Sequence, residues 1–302
     1  MTGRLVHTGQ AVVDLVMRVE ALPPPGGDVL ASDVRFTAGG GFNVMAAAAR
    51  AGAAVVYAGE HGTGRSGDLV REALAAEGIE LVQLPAGSDT GVCVVLVDAA
   101  GERTFITETG AEGTLTAEHL RRVRLSPEDL VYVSGYSLLR ESNREALLDW
   151  LPSVADHRVL LDPGPLAADV APGVWRAVLP HVDILSCNAA EAAVMSTVDG
   201  VGSVPVRVTR VGAAGCDVVE NGVTVRVPGF PVDPVDTNGA GDAHTGVLAA
   251  ELLHGEPLLV AAERANAAAA IAVRRYGPAT SPSRAEVGAL LAARRQELGD
   301  RG

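Results

Sequence analysis

Seven residues in the last third of the chain, Asp236 to Asp242, combine the residue types that phosphoryl chemistry requires. They read Asp-Thr-Asn-Gly-Ala-Gly-Asp and precede a run rich in alanine and leucine that is typical of a helix. Gly239, Ala240 and Gly241 leave backbone N–H groups uncovered at the positive end of that helix, where an anion binds. Asp242 would then remove the proton from a hydroxyl that attacks a phosphoryl group held by these amides. The alternative is a glycine turn followed by an aspartate that caps the helix.

A second glycine-rich segment lies near the amino terminus. Gly39, Gly40 and Gly41 stand between a strand-like and a helix-like run, and Asn43 follows them. Three consecutive glycines indicate that the backbone closely approaches another group, and the Asn43 amide suits hydrogen bonds to hydroxyls. The alternative is a flexible hinge with Asn43 capping the helix.

Composition excludes several classes of enzyme. The chain has 302 residues with 24 basic and 37 acidic side chains, a net charge of −13, and all the basic residues are arginine. A Walker A loop, a protein-kinase fold and a Schiff-base enzyme each need a lysine. An acidic chain without basic runs is a poor nucleic-acid binder. Three widely spaced cysteines predict reduced thiols and a cytoplasmic protein, and the absence of a long apolar segment predicts no membrane span.

Strand-like and helix-like segments alternate along most of the chain, which predicts an α/β fold with a mostly parallel sheet flanked by helices. Residues 5–19 read as one strand, and residues 242–254, 258–275 and 284–297 read as helices. Two β-rich pieces, approximately 11–38 and 88–110, lack intervening helices and suit a small separate sheet. We expect a single domain over residues 1–302.

The two glycine-rich motifs together resemble the two signatures of the ribokinase-like (PfkB) family of carbohydrate kinases. The first signature is matched from Gly39 to Gly52 and the second from Asp236 to Asp242. The resemblance implies a central sheet with a small β-sheet lid over the sugar. It also implies transfer of the γ-phosphoryl group of ATP, with Mg²⁺, to a sugar hydroxyl, with Asp242 as the base and the amides of 239–241 as the anion hole. No lysine is needed for this chemistry, which depends on positioning and charge stabilisation.

The resemblance also assigns roles to residues outside the two motifs. Asp14, with the glycines 39–41 and Asn43, matches the residues that hold the acceptor. A monovalent cation, K⁺, is held in some members at the positions of Asp236, Gly277 and Ser281. His244 departs from the family pattern and is expected to pack rather than to act as an acid or base. Further positions match the family's nucleotide and Mg²⁺-water region: Asn188, Glu191, Arg210, Gly212, Gly215 and Asn266.

The acceptor remains open at the level of sequence. Ribose or another unphosphorylated sugar is favoured, and a nucleoside kinase is the main alternative. A nucleoside would need an aromatic platform, for which only Phe36, Phe42, Phe105 and Tyr136 are available. A phosphosugar would need cations such as Arg35 and Arg103, and a non-catalytic sugar-binding protein is a further alternative. Many members of the family pair through the lid, so a homodimer is plausible.

One competing motif predicts different chemistry. Residues 62–67 fit the pattern Gly-x-Gly-x-x-Gly between a strand and a helix, which is typical of a Rossmann dinucleotide site. The acidic residue expected after the next strand is missing, because Glu80 stands at the beginning of that strand instead. The loop is also longer than the usual tight turn. An oxidoreductase is therefore the weaker interpretation.

Overall fold

The computed structural model describes residues 3–299 and, for 297–299, the backbone only; the remainder of the predicted 1–302 domain lies outside the described residues. A nine-stranded sheet forms the body, in the order β13-β12-β11-β10-β9-β8-β1-β4-β5. The strands from β11 to β5 are parallel, and β12 and β13 add an antiparallel hairpin at one edge. Their bounds are β1 Arg4–His7, β4 Ala54–Tyr57, β5 Glu80–Leu81, β8 Leu130–Ser134, β9 Arg158–Asp162, β10 Ile184–Asn188, β11 Val206–Arg210, β12 Gly215–Glu220 and β13 Val223–Pro228.

Helices cover both faces of this sheet, as the alternating pattern predicts. The bounds are α1 Gly41–Arg50, α2 Arg65–Ala76, α3 Ala117–Arg121, α4 Gly135–Leu139, α5 Glu141–Trp150, α6 Pro172–Val178, α7 Ala189–Met195, α8 Ala240–Leu253, α9 Leu258–Ala272 and α10 Arg284–Gly299. The predicted helix at 242–254 therefore begins two residues earlier, and the one at 258–275 ends three residues earlier. Within the described residues, no helix is long and apolar enough to cross a membrane.

The core is aliphatic, with one layer on each face of the sheet. The layer under α1, α8 and α9 is rich in alanine, and the opposite layer contains the two tryptophans, Trp150 and Trp175. Small side chains bring helix backbones together: an ideal Cβ at Gly246 of α8 would lie 2.4 Å from the Val44 carbonyl oxygen of α1. This close approach places the amino-terminal ends of α1 and α8 side by side.

A separate four-stranded sheet stands beside the body in the order β3-β2-β6-β7. Its strands are β2 Ala11–Arg18, β3 Asp33–Gly40, β6 Val92–Val97 and β7 Arg103–Glu108. The prediction of one strand over 5–19 was wrong, because the chain leaves the body after His7 and starts the small sheet at Ala11.

The chain passes between the two sheets at four places, and a glycine stands at each. Gly9 follows β1, Gly40 ends β3, Gly91 precedes β6 and Gly110 follows β7. At Gly40 the backbone has φ +59°, a conformation that favours glycine. The Glu112 carboxylate accepts the N–H groups of Gly91 and Gly110 at 2.9 Å each, which joins the β6–β7 hairpin to the body.

Candidate active site

The candidate site lies at the carboxyl ends of the parallel strands, where ligands bind in open α/β sheets. Asp162, Asn188 and Arg210 are the last residues of the neighbouring strands β9, β10 and β11. Helix α8 points its first turn at the same edge, and the small sheet faces it from the other side. The two glycine-rich motifs, 200 residues apart in sequence, therefore meet here.

The first turn of α8 forms the predicted amide cup. Gly239 is the residue before the helix and has φ +73°, and an ideal Cβ on it would lie 1.9 Å from the Pro278 carbonyl oxygen. Only glycine therefore fits this position. Among the described residues, the N–H groups of Gly239 and Gly241 have no hydrogen-bond acceptor, while that of Ala240 points at the Thr237 carbonyl oxygen at 3.4 Å. Two amides at the positive end of a 14-residue helix are thus available to an anion.

Asp242 stands at the mouth of this cup. The Asn43 amide Nδ2 donates a hydrogen bond to Asp242 Oδ2 at 3.1 Å, across the contact between α1 and α8. Asn43 is buried, and its Oδ1 has no partner among the described residues. The interpretation of Asn43 as a helix cap is wrong, because Gly40 precedes the helix and no side chain caps it.

The electrostatics of Asp242 suit a base. Burial raises the pKa of Asp242 to about 6, while the hydrogen bond from Asn43 and the charge of Arg210 act in the opposite direction. Asp162 and Glu191 add to the rise through repulsion between like charges. A pKa near 6 leaves the carboxylate ionised at neutral pH, yet more basic than an exposed aspartate.

A second carboxyl group, Asp14, enters the site from the small sheet. It lies on β2 opposite Thr37 of β3 and is 8% exposed, so it does not face the solvent. Burial, followed by the charge of Asp242, raises the pKa of Asp14 to about 7. An ideal Cβ on Gly39 would lie 2.1 Å from Asp14 Oδ2, so glycine 39 makes room for this carboxyl group. The Thr37 hydroxyl has no partner among the described residues.

His7 is a buried residue that lies next to Gly41, the third glycine of the motif. Its ring stacks on Tyr132, with centroids 4.4 Å apart, and burial lowers the pKa of His7 to about 3. Nδ1 accepts the Gly9 N–H at 3.2 Å, so the proton of this neutral ring is on Nε2. An ideal Cβ on Gly41 would lie 2.3 Å from the ring. The glycine at 41 therefore accommodates a buried histidine.

Arg210 lies beside the amide cup at the centre of a buried network. Its guanidinium donates to the Ser186 and Thr245 hydroxyls at 2.7 and 2.9 Å. It also pairs with Asp162 at 3.2 Å and with Glu191 at 3.3 Å. Burial alone would lower the pKa of Arg210, but the two carboxylates hold it above its usual value. The side chain of Arg210, which was predicted for the nucleotide region, is only 13% exposed.

Asn188 and Glu191, which were predicted for the nucleotide and Mg²⁺-water region, form a capping box at the start of α7. The Asn188 side chain accepts the Glu191 N–H at 2.9 Å, and Glu191 Oε2 accepts the Asn188 N–H at 2.7 Å. Burial and the charge of Asp162 raise the pKa of Glu191. Glu191 belongs to the candidate site as well as to the cap, because its carboxylate also contacts Arg210.

Comparison with known proteins places this arrangement in one family. The profile of the pfkB family carbohydrate kinases matches residues 2–285. The chain belongs to this family. Its relatives include the uncharacterized sugar kinase YegV of Escherichia coli (strain K12), which is 30% identical over 294 residues, 92% of this chain and 91% of that protein. Ribokinase of Bacillus subtilis (strain 168) is 26% identical over 292 residues, 94% of this chain and 97% of that protein.

A solved structure extends the likeness to the fold. Arabidopsis thaliana ribokinase, complexed with ribose and ATP, superposes with a TM-score of 0.79 at 24% identity, covering 96% of this chain and 99% of that one. The predicted ribokinase-like fold and the prediction of a carbohydrate kinase are therefore confirmed.

Two residues predicted for the nucleotide region, Gly215 and Asn266, make close structural contacts, and His244 is packed in the interior. An ideal Cβ on Gly215, where φ is +97°, would lie 2.2 Å from the Val227 carbonyl oxygen, whereas Gly212 has open space around it. Asn266 of α9 donates to the Val227 carbonyl oxygen of β13 at 3.0 Å. His244 is buried, and burial together with the charge of Arg210 lowers the pKa of His244 to about 3.

Of the residues predicted for a monovalent cation, Asp236 and Gly277 are in contact, and both carboxylate oxygens of Asp236 already accept hydrogen bonds. Asp236 Oδ1 accepts the Asn238 N–H at 2.9 Å, and Oδ2 accepts the Gly277 N–H at 3.1 Å. Arg103, from β7, forms an ion pair with the same carboxylate. Ser281 is buried, and its hydroxyl has no partner among the described residues. Among the side chains of residues 3–296, no three histidine, cysteine or acidic groups are placed to bind one metal ion.

The backbone amides of the competing Gly-x-Gly-x-x-Gly motif, residues 62–67, bind a side chain of the same protein, Asp89. The Asp89 carboxylate accepts the N–H groups of Ser66 and Gly67 at 3.2 and 2.8 Å, at the start of α2. An ideal Cβ on Gly64 would lie 2.7 Å from the same carboxylate. Because an acidic side chain takes the amides that a pyrophosphate would need, this loop does not support dinucleotide binding.

Sequence reasoning missed the partners that surround the predicted residues. His7 and Arg103 lie far in sequence from Gly41 and Asp236, which they contact, and Thr37 directly precedes the glycine motif without a signal of its own. The strand-end position of Asp162 after a buried run was a usable signal, because strand ends form the site in this type of sheet.

Proposed function

We propose that this kinase transfers the γ-phosphoryl group of ATP to a hydroxyl of a small unphosphorylated sugar, with ribose favoured. The observation that carries the proposal is the pairing of an ionisable base with an anion cup. Asp242, oriented by Asn43, stands beside the two free amides of the first turn of α8. The similarity to ribokinases supports the choice of acceptor.

In the proposed reaction, Asp242 accepts the proton of the acceptor hydroxyl as the oxygen attacks the γ-phosphorus. The new bond joins that oxygen to phosphorus, the bond from the γ-phosphorus to the bridging oxygen breaks, and ADP leaves. The amides of Gly239 and Gly241 stabilise the negative charge on the migrating group, and Arg210 supplies positive charge beside them. Preorganised donors of this kind provide most of the rate enhancement in such transfers.

ATP would bring Mg²⁺ with it in the proposed reaction. Mg²⁺ usually keeps several waters and binds phosphates plus one or two carboxylates, and it supplies charge neutralisation of the phosphates. Asp162 and Glu191 fit this role, because both carboxylates lie at strand and helix ends of the site. We propose that they orient the water around the ion while Arg210 holds them in place.

The acceptor pocket favours a small neutral molecule. Asp14, Thr37 and Asn43 offer oxygen atoms to hydroxyl groups, and the two carboxylates Asp14 and Asp242 would repel an acceptor phosphate. The cations proposed for a phosphosugar are also paired, Arg35 with Asp33 at 2.8 Å and Arg103 with Asp236.

A nucleoside remains the second candidate acceptor, with reduced support. Phe42 is buried in the core and Phe36 lies on the opposite face of β3 from Thr37, so neither is a platform for a base. Phe105 and Tyr136 remain, at 56% and 44% exposed. Burial and the charge of Asp242 raise the pKa of Tyr136 to about 12, which is consistent with a ring at the rim of the acceptor pocket.

We further propose that the small sheet acts as a lid and that its outer face forms a homodimer. Val34, Phe36 and Ile106 are 48%, 61% and 62% exposed on that face, and an exposed apolar sheet surface usually marks an interface. The three cysteines are free and buried, which supports the proposed cytoplasmic location.

A coupled assay of ADP release tests the proposal. Pentoses, hexoses, nucleosides and sugar phosphates are compared as acceptors, with mass spectrometry of the product. Asp242→Asn should lower kcat by about 10²–10⁴-fold while ATP still binds, because only the base is lost. Asp233→Asn is the matched control, an exposed aspartate of the preceding loop, and should keep its turnover. Near-normal transfer by Asp242→Asn, or ATP hydrolysis without transfer to any acceptor, would contradict the proposal.

A further inference from the structure

Two arginines of the small sheet form one row that reaches the body of the kinase. Arg18 of β2 is in register with Val97 of β6, and Val97 is in register with Arg103 of β7. Residues in register on neighbouring strands point to the same face. This is also the face of Asp14, since Asp14 and Arg18 are separated by two alternations of the strand. Both guanidinium groups therefore project from the acceptor side of the lid.

The two arginines contact one small region of the body. Arg103 pairs with Asp236, and the two side chains are only 20% and 11% exposed. The Arg18 guanidinium lies over the ring of Tyr276, 5.2 Å from its centroid. Tyr276 precedes Gly277, whose N–H donates to Asp236. The lid is thus attached to the body at this region by an ion pair and a cation–π contact.

Asp236 links the segments that shape the amide cup. Its carboxylate holds Asn238 and Gly277 through their N–H groups. The residue after Asn238 is Gly239, the start of the cup, and the residue after Gly277 is Pro278, whose carbonyl oxygen leaves no room for a side chain on Gly239. Displacement of the Asp236 carboxylate would therefore move the first amide of the cup.

We propose that Arg103 is a positioning residue of the transfer reaction, which couples closure of the lid to assembly of the amide cup through Asp236. The inference rests on the proposed function for its kinetic consequence. With Arg103 in place, the Asp236 carboxylate is neutralised and faces three donor groups: two amides and a guanidinium. The surroundings of the Asp236 carboxylate do not fit the monovalent cation that the family resemblance implies, because both of its oxygens already face N–H donors. Transfer should accordingly be independent of K⁺.

Kinetics of Arg103→Ala test the coupling. Loss of a hydrogen bond between charged groups at this position should lower kcat by about 10–100-fold. The KM for the acceptor should change far less, because Asp14 and Asn43 are untouched. Arg103→Lys, which keeps the charge, should recover part of the loss, as should added guanidinium ion with Arg103→Ala. Arg121→Ala removes an exposed arginine–aspartate pair between α3 and α5 and is the matched control, with unchanged kinetics.

Two further measurements separate the coupling from the proposed function. Exchange of K⁺ for Na⁺ or choline should not alter the wild-type rate, whereas Arg103→Ala, with its Asp236 carboxylate uncovered, should gain a response to K⁺. Hydrogen exchange should be faster at the Asn238 and Gly277 amides in Arg103→Ala, and this readout needs no acceptor. Unchanged exchange together with unchanged kcat would overturn the inference, as would wild-type activity that requires K⁺. Absence of transfer by the wild type on every acceptor, with faster exchange in the variant, would contradict the proposed function alone.

Discussion

If Asp242 is the base, as proposed, removal of its hydrogen bond from Asn43 should shift the pH dependence of the kinase, and this gives the sharpest test of the assignment. Burial raises the pKa of Asp242 to about 6, and Asn43 is the strongest influence in the opposite direction. A hydrogen bond to a charged group contributes about 1.5–3 kcal/mol. One pKa unit corresponds to about 1.4 kcal/mol, so Asn43→Ala should raise the pKa of Asp242 by roughly 1–2 units.

The assay is the dependence of kcat/KM on pH, which reports the pKa of the free enzyme. Asp242 acts as a base only when ionised, so activity falls as the pH drops below its pKa. In the wild type this acid limb should lie near pH 6, because the pKa of Asp242 is about 6. In Asn43→Ala the limb should move to higher pH, with the largest loss of activity near neutrality and partial recovery in alkaline buffer.

A matched substitution separates this shift from a loss of stability. Asn143 is also buried, and its side chain bonds the Leu115 N–H and the Glu112 carbonyl oxygen, away from the site. Asn143→Ala should lower the free energy of unfolding and leave the acid limb in place. An acid limb that does not move in Asn43→Ala would refute the assignment of Asp242 as the titrating base.

A second substitution, at Asp14, is needed to tell its titration from that of Asp242. Burial and the charge of Asp242 raise the pKa of Asp14 to about 7. Two carboxyl groups in one pocket titrate as a coupled pair. In Asp14→Asn only the Asp242 carboxyl group remains. The acid limb of the pH profile, which Asn43→Ala should shift, should therefore still be present. A profile without any acid limb in Asp14→Asn would assign the titration to Asp14 instead.

Three further substitutions test the surrounding structure. Gly39→Ala would put a Cβ 2.1 Å from the Asp14 carboxylate. Because Asp14 would have to move, the KM for the acceptor should rise about tenfold or more, while the KM for ATP should not change. Arg210→Ala leaves two buried carboxylates without their partner, so thermal or urea unfolding should show a loss of about 3–5 kcal/mol. Asp89→Ala removes the cap of α2 and should cost about 0.5–2 kcal/mol of unfolding free energy with normal kcat.

The parts of the site that the sequence predicted are those encoded locally. Residues 236–242 lie between a loop and α8, and residues 39–43 lie between β3 and α1. Each segment combines glycines and polar side chains at a helix start, which is enough to predict an amide cup and a pocket. Asp14 required the family resemblance, because an alternating strand does not reveal which of its faces is buried. The break after His7 was missed because β-forming residues continue on both sides of Gly9, and a single glycine in a strand pattern is a weak signal.

Contacts between distant elements could not be predicted in the same way. Arg210 meets Asp162 and Glu191 only because β9, β10 and β11 are neighbours in the sheet, and the sequence does not encode strand order locally. The pair of Arg103 with Asp236 depends on the register of the β6–β7 hairpin and on the position of the small sheet. Both networks join residues through tertiary packing, which local patterns do not contain.

The four glycines where the chain crosses between the sheets restrict how such an enzyme can change its preferred acceptor. An ideal Cβ on Gly9, Gly40, Gly91 or Gly110 would have its nearest neighbour at 2.7, 3.0, 2.4 or 2.3 Å, so added bulk at these crossings would wedge the lid away from the body. The segment 20–32, by contrast, is exposed throughout. Natural variants that accommodate larger acceptors should therefore differ in the length and composition of such rim loops, while the crossings stay small.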